Sequence, residues 1–172
     1  TFLVPDEVAA WAGELRARGG AQREAWEARR AAYAAEHPSE AAELARVGEG
    51  RLPDGWEAAR PTFEAGASLA TRASAGTALN AFAAVIPEIV QGAADLSSST
   101  STTLVDMGAV NRGDFAGRNL YYGVREHAMG AITNGIAAHA GLRPVCSTFF
   151  TFSDYMKNTV RLAALMRLPS VF

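Results

Sequence analysis

Between residues 88 and 172, short strand-like runs alternate with helix-length segments, and this alternation limits the fold more than any other feature of the chain. "EIVQGAADL" reads as a short strand running into a turn, "NLYYGV" as a strand and "RPVCSTFF" as another. "REHAMGAITNGIAAHAG" and "SDYMKNTVRLAALMR" read as helices, and "PSVF" as the start of a further strand. Ahead of them "LATRASAGTALNAFAAVIPE" reads as a helix ended by Pro87, whose ring cannot continue one. "SSSTSTT" reads as a low-complexity loop and "NRGDFAGR" as loop, its Arg-Gly-Asp at 112–114 a chance run of common loop residues, while "TLVDMG" is ambiguous. Strands that alternate with helices pair in parallel through right-handed crossovers. The expected fold class is therefore α/β, a mainly parallel sheet flanked by helices. In such sheets ligands gather where strand carboxyl ends meet helix N-termini.

The first part of the chain differs in texture. Residues 1–60 hold 19 charged side chains and the remaining 112 residues only 15. "PDEVAAWAGELRAR", "AQREAWEARRAAYAAEH" and "PSEAAELARVG" read as Ala/Glu/Arg-rich helices, with Pro5 and Pro38 where helices start and Gly19-Gly20 and Gly48 where they stop. Trp11, Leu15, Trp26 and Tyr33 can form apolar stripes, but mixed charges at helical spacing describe a solvated helical linker or appendage. The expected division is a helical linker over residues 1–60 and an α/β domain over 61–172.

Composition excludes several classes. With 49% hydrophobic and 20% charged residues, the chain is an ordinary globular one rather than a disordered one. A formal charge of −2 gives no electrostatic case for nucleic acid or an anionic membrane surface. The longest stretch without formal charge, His127 to Leu142, is 16 residues and includes Thr133 and Asn134. It is too short and too polar for a bilayer span, which needs about 20 apolar residues. A single cysteine, Cys146, allows no internal disulfide and suits a reducing compartment; its apolar surroundings make it a buried structural thiol. With acids by the sixth residue and no basic n-region, the N-terminus does not read as a signal peptide, so the expected location is cytoplasmic. The chain has no initiator methionine and stops on a strand-like run, which reads as a segment of something longer whose α/β domain is truncated at its C-terminal end.

Two features carry chemistry. Glu126 opens the helix "REHAMGAITNGIAAHAG" three residues before Met129, and Met129, Ile132, Ile136 and Ala140 continue one apolar stripe. A first-turn carboxylate is favoured by the helix dipole, whereas burial penalises its charge. One reading makes Glu126 a helix-opening acid paired with Arg125 or capping backbone amides. The other makes it a buried acid aimed at a ligand. The second feature is "STFFTFSDY", which brings Phe149, Phe150, Phe152 and Tyr155 to the strand's carboxyl end. These rings are either core or the wall of a pocket in which a flat heterocycle stacks while an acid meets a ring nitrogen.

Taken together, "YGVREHAMGAITNGIAAHAG", "STFFTFSDYMKNTVRLAALM" after it and "GAADL" before it closely resemble the pyrimidine-binding domain of transketolases. The resemblance covers essentially the whole chain, the N-terminal helices resembling the segment that joins that enzyme's diphosphate-binding domain to its pyrimidine domain. It implies the thiamine diphosphate-binding fold and transfer of a two-carbon ketol unit between sugar phosphates. Glu126 matches the glutamate that hydrogen-bonds N1′ of the cofactor's aminopyrimidine, promoting the imino form that takes the proton from thiazolium C2. Phe152 matches the aromatic that stacks on the pyrimidine, with Phe149 and Tyr155 completing the pocket. Asp95 and Leu96 match the loop near the cofactor's centre, and Arg72 and Ser99 match positions that hold the substrate phosphate.

Departures bear on these assignments. "SSSTSTT" lacks the family's proline, so Ser98 competes with Ser99, and the residues after Arg72 depart from the basic and amide side chains often found there. His127 reads as packing, and His139 as structural or exposed. The G-D-G with a downstream asparagine that builds the Mg²⁺ and diphosphate site does not occur, nor do the family's substrate histidines. The resemblance therefore implies no metal ligand here: Mg²⁺ is held outside this chain, in a homodimer whose active site is shared between subunits. The segment alone is expected to be inactive without the remainder of the transketolase chain. The rival readings are another thiamine diphosphate enzyme, such as deoxyxylulose-phosphate synthase or a ketoacid dehydrogenase component, and a catalytically silent transketolase-like binding module.

Overall fold

The structure, a computed structural model, describes residues 2–172. Two compact units divide the chain, one up to Ala45 and one from Arg46 to Phe172.

The first unit is helical. α1 runs over Asp6–Glu36, 31 residues, and α2 over Pro38–Gly48, with proline at its first position, where a missing N–H costs nothing. The expected break at Gly19-Gly20 does not occur. Two glycines cost roughly 1 kcal/mol each against alanine, and cooperative propagation through strong helix formers on both sides overcomes that. α1 buries none of its residues; Trp11, Trp26 and Tyr33 stay exposed. Arg30 lies over the Trp26 ring at 5.6 Å and pairs with Glu27 at 3.1 Å.

The second unit is built on a three-stranded sheet of order β2-β1-β3, where β1 is Ile89–Ala93, β2 Asn119–Tyr121 and β3 Arg143–Ser147. Both pairings are parallel, with Gln91 opposite Asn119 on one side and Val145 on the other. Val171 bridges to Val145 in parallel, so "PSVF" begins a further position at the edge. The α/β expectation holds. β1 is buried along its whole length, as a central parallel strand covered on both faces must be.

Helices α3 (Thr71–Val85), α5 (Glu126–His139) and α6 (Lys157–Met166) pack around the sheet. One core cluster joins Ala83, Ile86, Ile89 and Leu104, with Trp56 and Phe82 packed against it, their rings 5.6 Å apart. Arg118 secures the end of α3, donating from its guanidinium to the carbonyls of Ala83, Ile86 and Ile89 at 2.8–2.9 Å. Burial lowers its pKa, while Glu88 nearby acts the other way. Glu88 is itself buried and paired with Arg46 at 2.5 Å. Asn119 pins the long connection before β2 through Leu104 and Gly108.

Three local expectations change. The serine-threonine run is not all loop: Ser97–Thr100 forms a helical turn, α4. Hydroxyl side chains capture nearby carbonyls, as Thr100 does with that of Leu96. The strand "RPVCSTFF" ends at Ser147, and Phe150–Met156 winds into a 3₁₀ turn that leads into α6. The buried face of α5 is Glu126, Met129, Gly130, Thr133, Asn134 and Ala137; Ile132 and Ala140 are exposed. Small and hydrogen-bonding residues win this face because α6 approaches closely. A Cβ on Gly130 would collide with Thr159 Oγ1, and Asn134 donates to the Thr159 carbonyl at 2.8 Å.

Candidate functional site

The carboxyl ends of all three strands open onto one cleft of about 500 Å³. β1 delivers Ala94, Asp95 and Leu96; the turn after β2 delivers Val124 and Glu126; the 3₁₀ turn after β3 delivers Phe152 and Tyr155. This is the edge at which parallel sheets collect ligands. Of the residues singled out from the sequence, Glu126, Asp95, Leu96, Phe152 and Tyr155 come together here.

Phe149 does not line the cleft; it stacks behind Phe152 with ring centroids 6.2 Å apart and an interplanar angle of 29°. Phe152 in turn stacks on Tyr155 at 6.2 Å and 22°. Arg72 and Ser99 lie outside the cleft lining, exposed in the first turn of α3 and on α4. The two helices meet nearby, since a Cβ on Gly76, one turn after Arg72, would collide with the Ser101 carbonyl. Ala94 and Val124 line the cleft without having been singled out, because an alanine and a valine carry no chemical signal in a sequence.

Glu126 is the unusual group. It is 7% exposed, and among the described residues its side chain makes no hydrogen bond or ion pair. Arg125 does not pair with it; that guanidinium donates to the Tyr122 carbonyl at 2.9 Å. Its carboxyl oxygens are not sealed in the core; they meet the open space of the cleft rather than a protein partner. Here the carboxyl faces a cleft walled by parallel aromatic rings. Such a site suits a flat heterocycle with a ring nitrogen that can share a proton with an acid.

The floor beneath is dry. Ala94, Tyr122, Met129, Cys146 and Met156 form a core cluster. Burial pushes the Cys146 thiol up, opposed by hydrogen bonding with Thr133. Burial likewise raises the Tyr122 hydroxyl, again against Thr133, with Cys146 adding slightly to the rise. A Cβ on Gly92 would run into the Tyr122 ring, so the glycine in β1 lets that ring lie against the sheet. Asp95 sits at φ 60, in the left-handed region, which aspartate tolerates better than most side chains.

Comparison with known proteins places these features in one family. Residues 67–172 match the family model of the transketolase pyrimidine binding domain, and residues 1–53 that of the transketolase thiamine diphosphate binding domain. The chain is 49% identical over 172 residues to the transketolase of Geobacillus stearothermophilus and 44% identical over 171 residues to that of Halalkalibacterium halodurans. Each alignment covers 99% of this chain and 26% of the relative. Among solved structures, Pichia stipitis transketolase in complex with sedoheptulose-7-phosphate superposes with a TM-score of 0.93 at 38% identity, covering 99% of this chain and 26% of that one. Leishmania mexicana transketolase gives 0.92 at 36% identity, covering 98% and 25%. The chain thus spans about a quarter of the length of these relatives. The pyrimidine-domain match alone takes in more than half of the chain, including every residue that lines the cleft, and the chain belongs to the transketolase family.

Proposed function

We propose that this chain is the part of a transketolase that receives the aminopyrimidine of thiamine diphosphate, in an enzyme that moves a two-carbon ketol unit between sugar phosphates. The observation that carries the reading is Glu126: a residue only 7% exposed whose carboxyl, without a partner among the described residues, opens into a cleft that Asp95, Leu96, Phe152 and Tyr155 also line. The cleft fits the cofactor's ring in chemistry, with an acid for a ring nitrogen and aromatic faces for stacking. Thiamine diphosphate, when bound, supplies the nucleophilic carbon and the electron sink that ketol transfer needs.

The chain's own residues then have separate roles. Glu126 holds a proton shared with the ring nitrogen, in a site where little water competes for it. Phe152 and Tyr155 stack on the ring and exclude solvent, and Phe149 backs Phe152. Asp95 and Leu96 line the same cleft. Arg72 and Ser99, exposed on α3 and α4, hold the phosphate of the sugar, a pairing of guanidinium fork and hydroxyl suited to a phosphate monoester. Mg²⁺ and the diphosphate are held by parts of the enzyme outside this chain, with the second subunit of a homodimer completing each site in the cytoplasm.

Glu126→Gln in the intact enzyme tests the reading. As a helix-opening acid, Glu126 would accept the amide at a cost of about 0.3–1 kcal/mol, the dipole contribution. As a group that shares a proton with the ring, it cannot be replaced by an amide. The expected result is local stability within about 1 kcal/mol of wild type, with kcat reduced about 10²-fold or more. Exchange of the cofactor's C2 proton, followed by NMR after acid quench, should slow in parallel. Near-normal exchange and turnover would return Glu126 to a structural role.

A further inference from the structure

We propose that a one-way chain of hydrogen bonds starting at Gln91 clamps the Asp95–Leu96 turn of the cleft, making Gln91, Thr102, Ser147 and Thr100 positioning residues for the cofactor's ring. The inference rests on the reading of the cleft given above. Gln91 stands in the middle of β1 and is fully buried. Its side-chain nitrogen donates to Thr102 Oγ1 at 2.8 Å and more distantly to Ser147 Oγ at 3.4 Å. Thr102 and Ser147 are 2.7 Å apart, Ser147 and Thr100 3.2 Å, and Thr100 and Thr102 2.9 Å. Thr100 Oγ1 lies 2.9 Å from the Leu96 carbonyl and 3.5 Å from that of Ser97.

The direction follows from the two ends. An amide nitrogen only donates, a carbonyl only accepts, and each hydroxyl has a single proton to give. Thr100 spends its proton on Leu96, so it must accept from the hydroxyls behind it. The Thr102 and Ser147 hydroxyls, which receive the Gln91 amide, therefore pass their protons towards Thr100 directly or through each other, and Thr100 passes its own to the Leu96 carbonyl. Flipping the amide would not help. Gln91 Oε1 is buried without a partner, and a nitrogen in its place would strand two donors instead of one acceptor.

This chain ties together β1, α4 and the end of β3, the first two of which flank the Ala94–Leu96 segment that lines the cleft. It ends on Leu96, next to Asp95, which turns the chain at φ 60 where it enters the cleft lining. An apolar core would serve bulk stability as well; a hydrogen-bonded polar network serves geometry.

The test uses the intact enzyme. Thr100→Val keeps the volume and removes the last donor, Thr100→Ser restores it, and Ser147→Ala breaks the chain without adding bulk, in case the valine variant fails to fold. In cofactor-free protein, amide hydrogen exchange over residues 95–102 should rise about five- to tenfold in Thr100→Val and Ser147→Ala, the effect of one lost hydrogen bond. Affinity for thiamine diphosphate with Mg²⁺, by calorimetry, should fall by a similar factor, and Thr100→Ser should recover both to within about twofold. Unchanged exchange and affinity in the breaking variants, or a serine variant as impaired as the valine one, overturns the clamp. Normal turnover in Glu126→Gln overturns the reading of the cleft instead, and the exchange data in cofactor-free protein still decide whether the turn is clamped.

Discussion

Cys146 measures how dry the floor of the cleft is. Its thiol and the Tyr122 hydroxyl are neutral when protonated, and burial raises both, so the folded protein keeps these protons to higher pH than the unfolded chain. Their contribution to stability is complete below the unfolded values, about 8.5 for cysteine and 10 for tyrosine, and is lost as pH rises through the folded ones. Iodoacetamide labelling, read peptide by peptide, should therefore leave Cys146 largely unmodified at about pH 8.5 in the native protein and modify it rapidly in urea. Rapid native labelling would show that water reaches the floor. Arg72 is testable at the same scale. If it holds the substrate phosphate, Arg72→Ala should raise KM for phosphorylated sugars about ten- to a hundredfold, with far less effect on unphosphorylated ones. Equal losses for both would remove that role. The types of these residues were plain in the sequence, but the isolation of Glu126 was not: Arg125, its expected partner, turns back to the Tyr122 carbonyl.

At the scale of elements, α5 and α6 show how packing overrides an apolar pattern. Met129, Ile132, Ile136 and Ala140 are the evident stripe, yet the helix turns Gly130, Thr133 and Asn134 inward and leaves Ile132 exposed. The reason is reach: glycine allows Thr159 against the α5 backbone, and Asn134 then bonds the Thr159 carbonyl and accepts from Ser170 at 2.9 Å. Gly130→Ala gains roughly 1 kcal/mol of helix propensity but overpacks this contact at a typical cost of 1–3 kcal/mol. The expected net effect is loosening, seen as faster amide exchange across α6 with little change in the sheet. Slower exchange there would mean that the contact yields easily. The opposite case is α1, where local propensity decides everything. Gly19 and Gly20 have nothing within 4 Å of an added Cβ and sit inside one continuous helix, so the expected stop had no structural force behind it.

At the scale of the molecule, the proposed function makes the cleft one wall of a larger site. It opens at the carboxyl edge of the sheet, lined by Glu126, the aromatic rings and the Asp95–Leu96 turn, and no cluster of three or more metal-ligating side chains occurs among the described residues. The chain spans about a quarter of its relatives. On the proposed division of labour, the diphosphate and its Mg²⁺ are gripped elsewhere, and stacking plus one acid gives a small share of the binding energy. The 172-residue segment by itself should therefore show no ketol transfer, and no sub-micromolar binding of thiamine diphosphate with Mg²⁺ by calorimetry. Tight binding by the segment would place the principal contacts within it.

Element types, their order and the parallel sheet were legible from periodicity and punctuation, because alternating strand-length and helix-length runs have few ways to bury their apolar faces. The residues of the candidate site were legible as types, Glu126 and the aromatic run, but each had a structural reading beside the ligand-binding one, and the cleft that brings Glu126, Phe152 and Tyr155 together belongs to the fold. Tertiary structure alone decided which residues meet. Whether Glu126 has a partner, whether Phe149 or Tyr155 lines the cleft, and how "SSSTSTT" joins Gln91 in one hydrogen-bonded chain depend on contacts across β1, α4 and β3. A sequence encodes such contacts only through the whole fold, because each polar group takes its partner from what packing brings within about 3 Å, not from its neighbours along the chain.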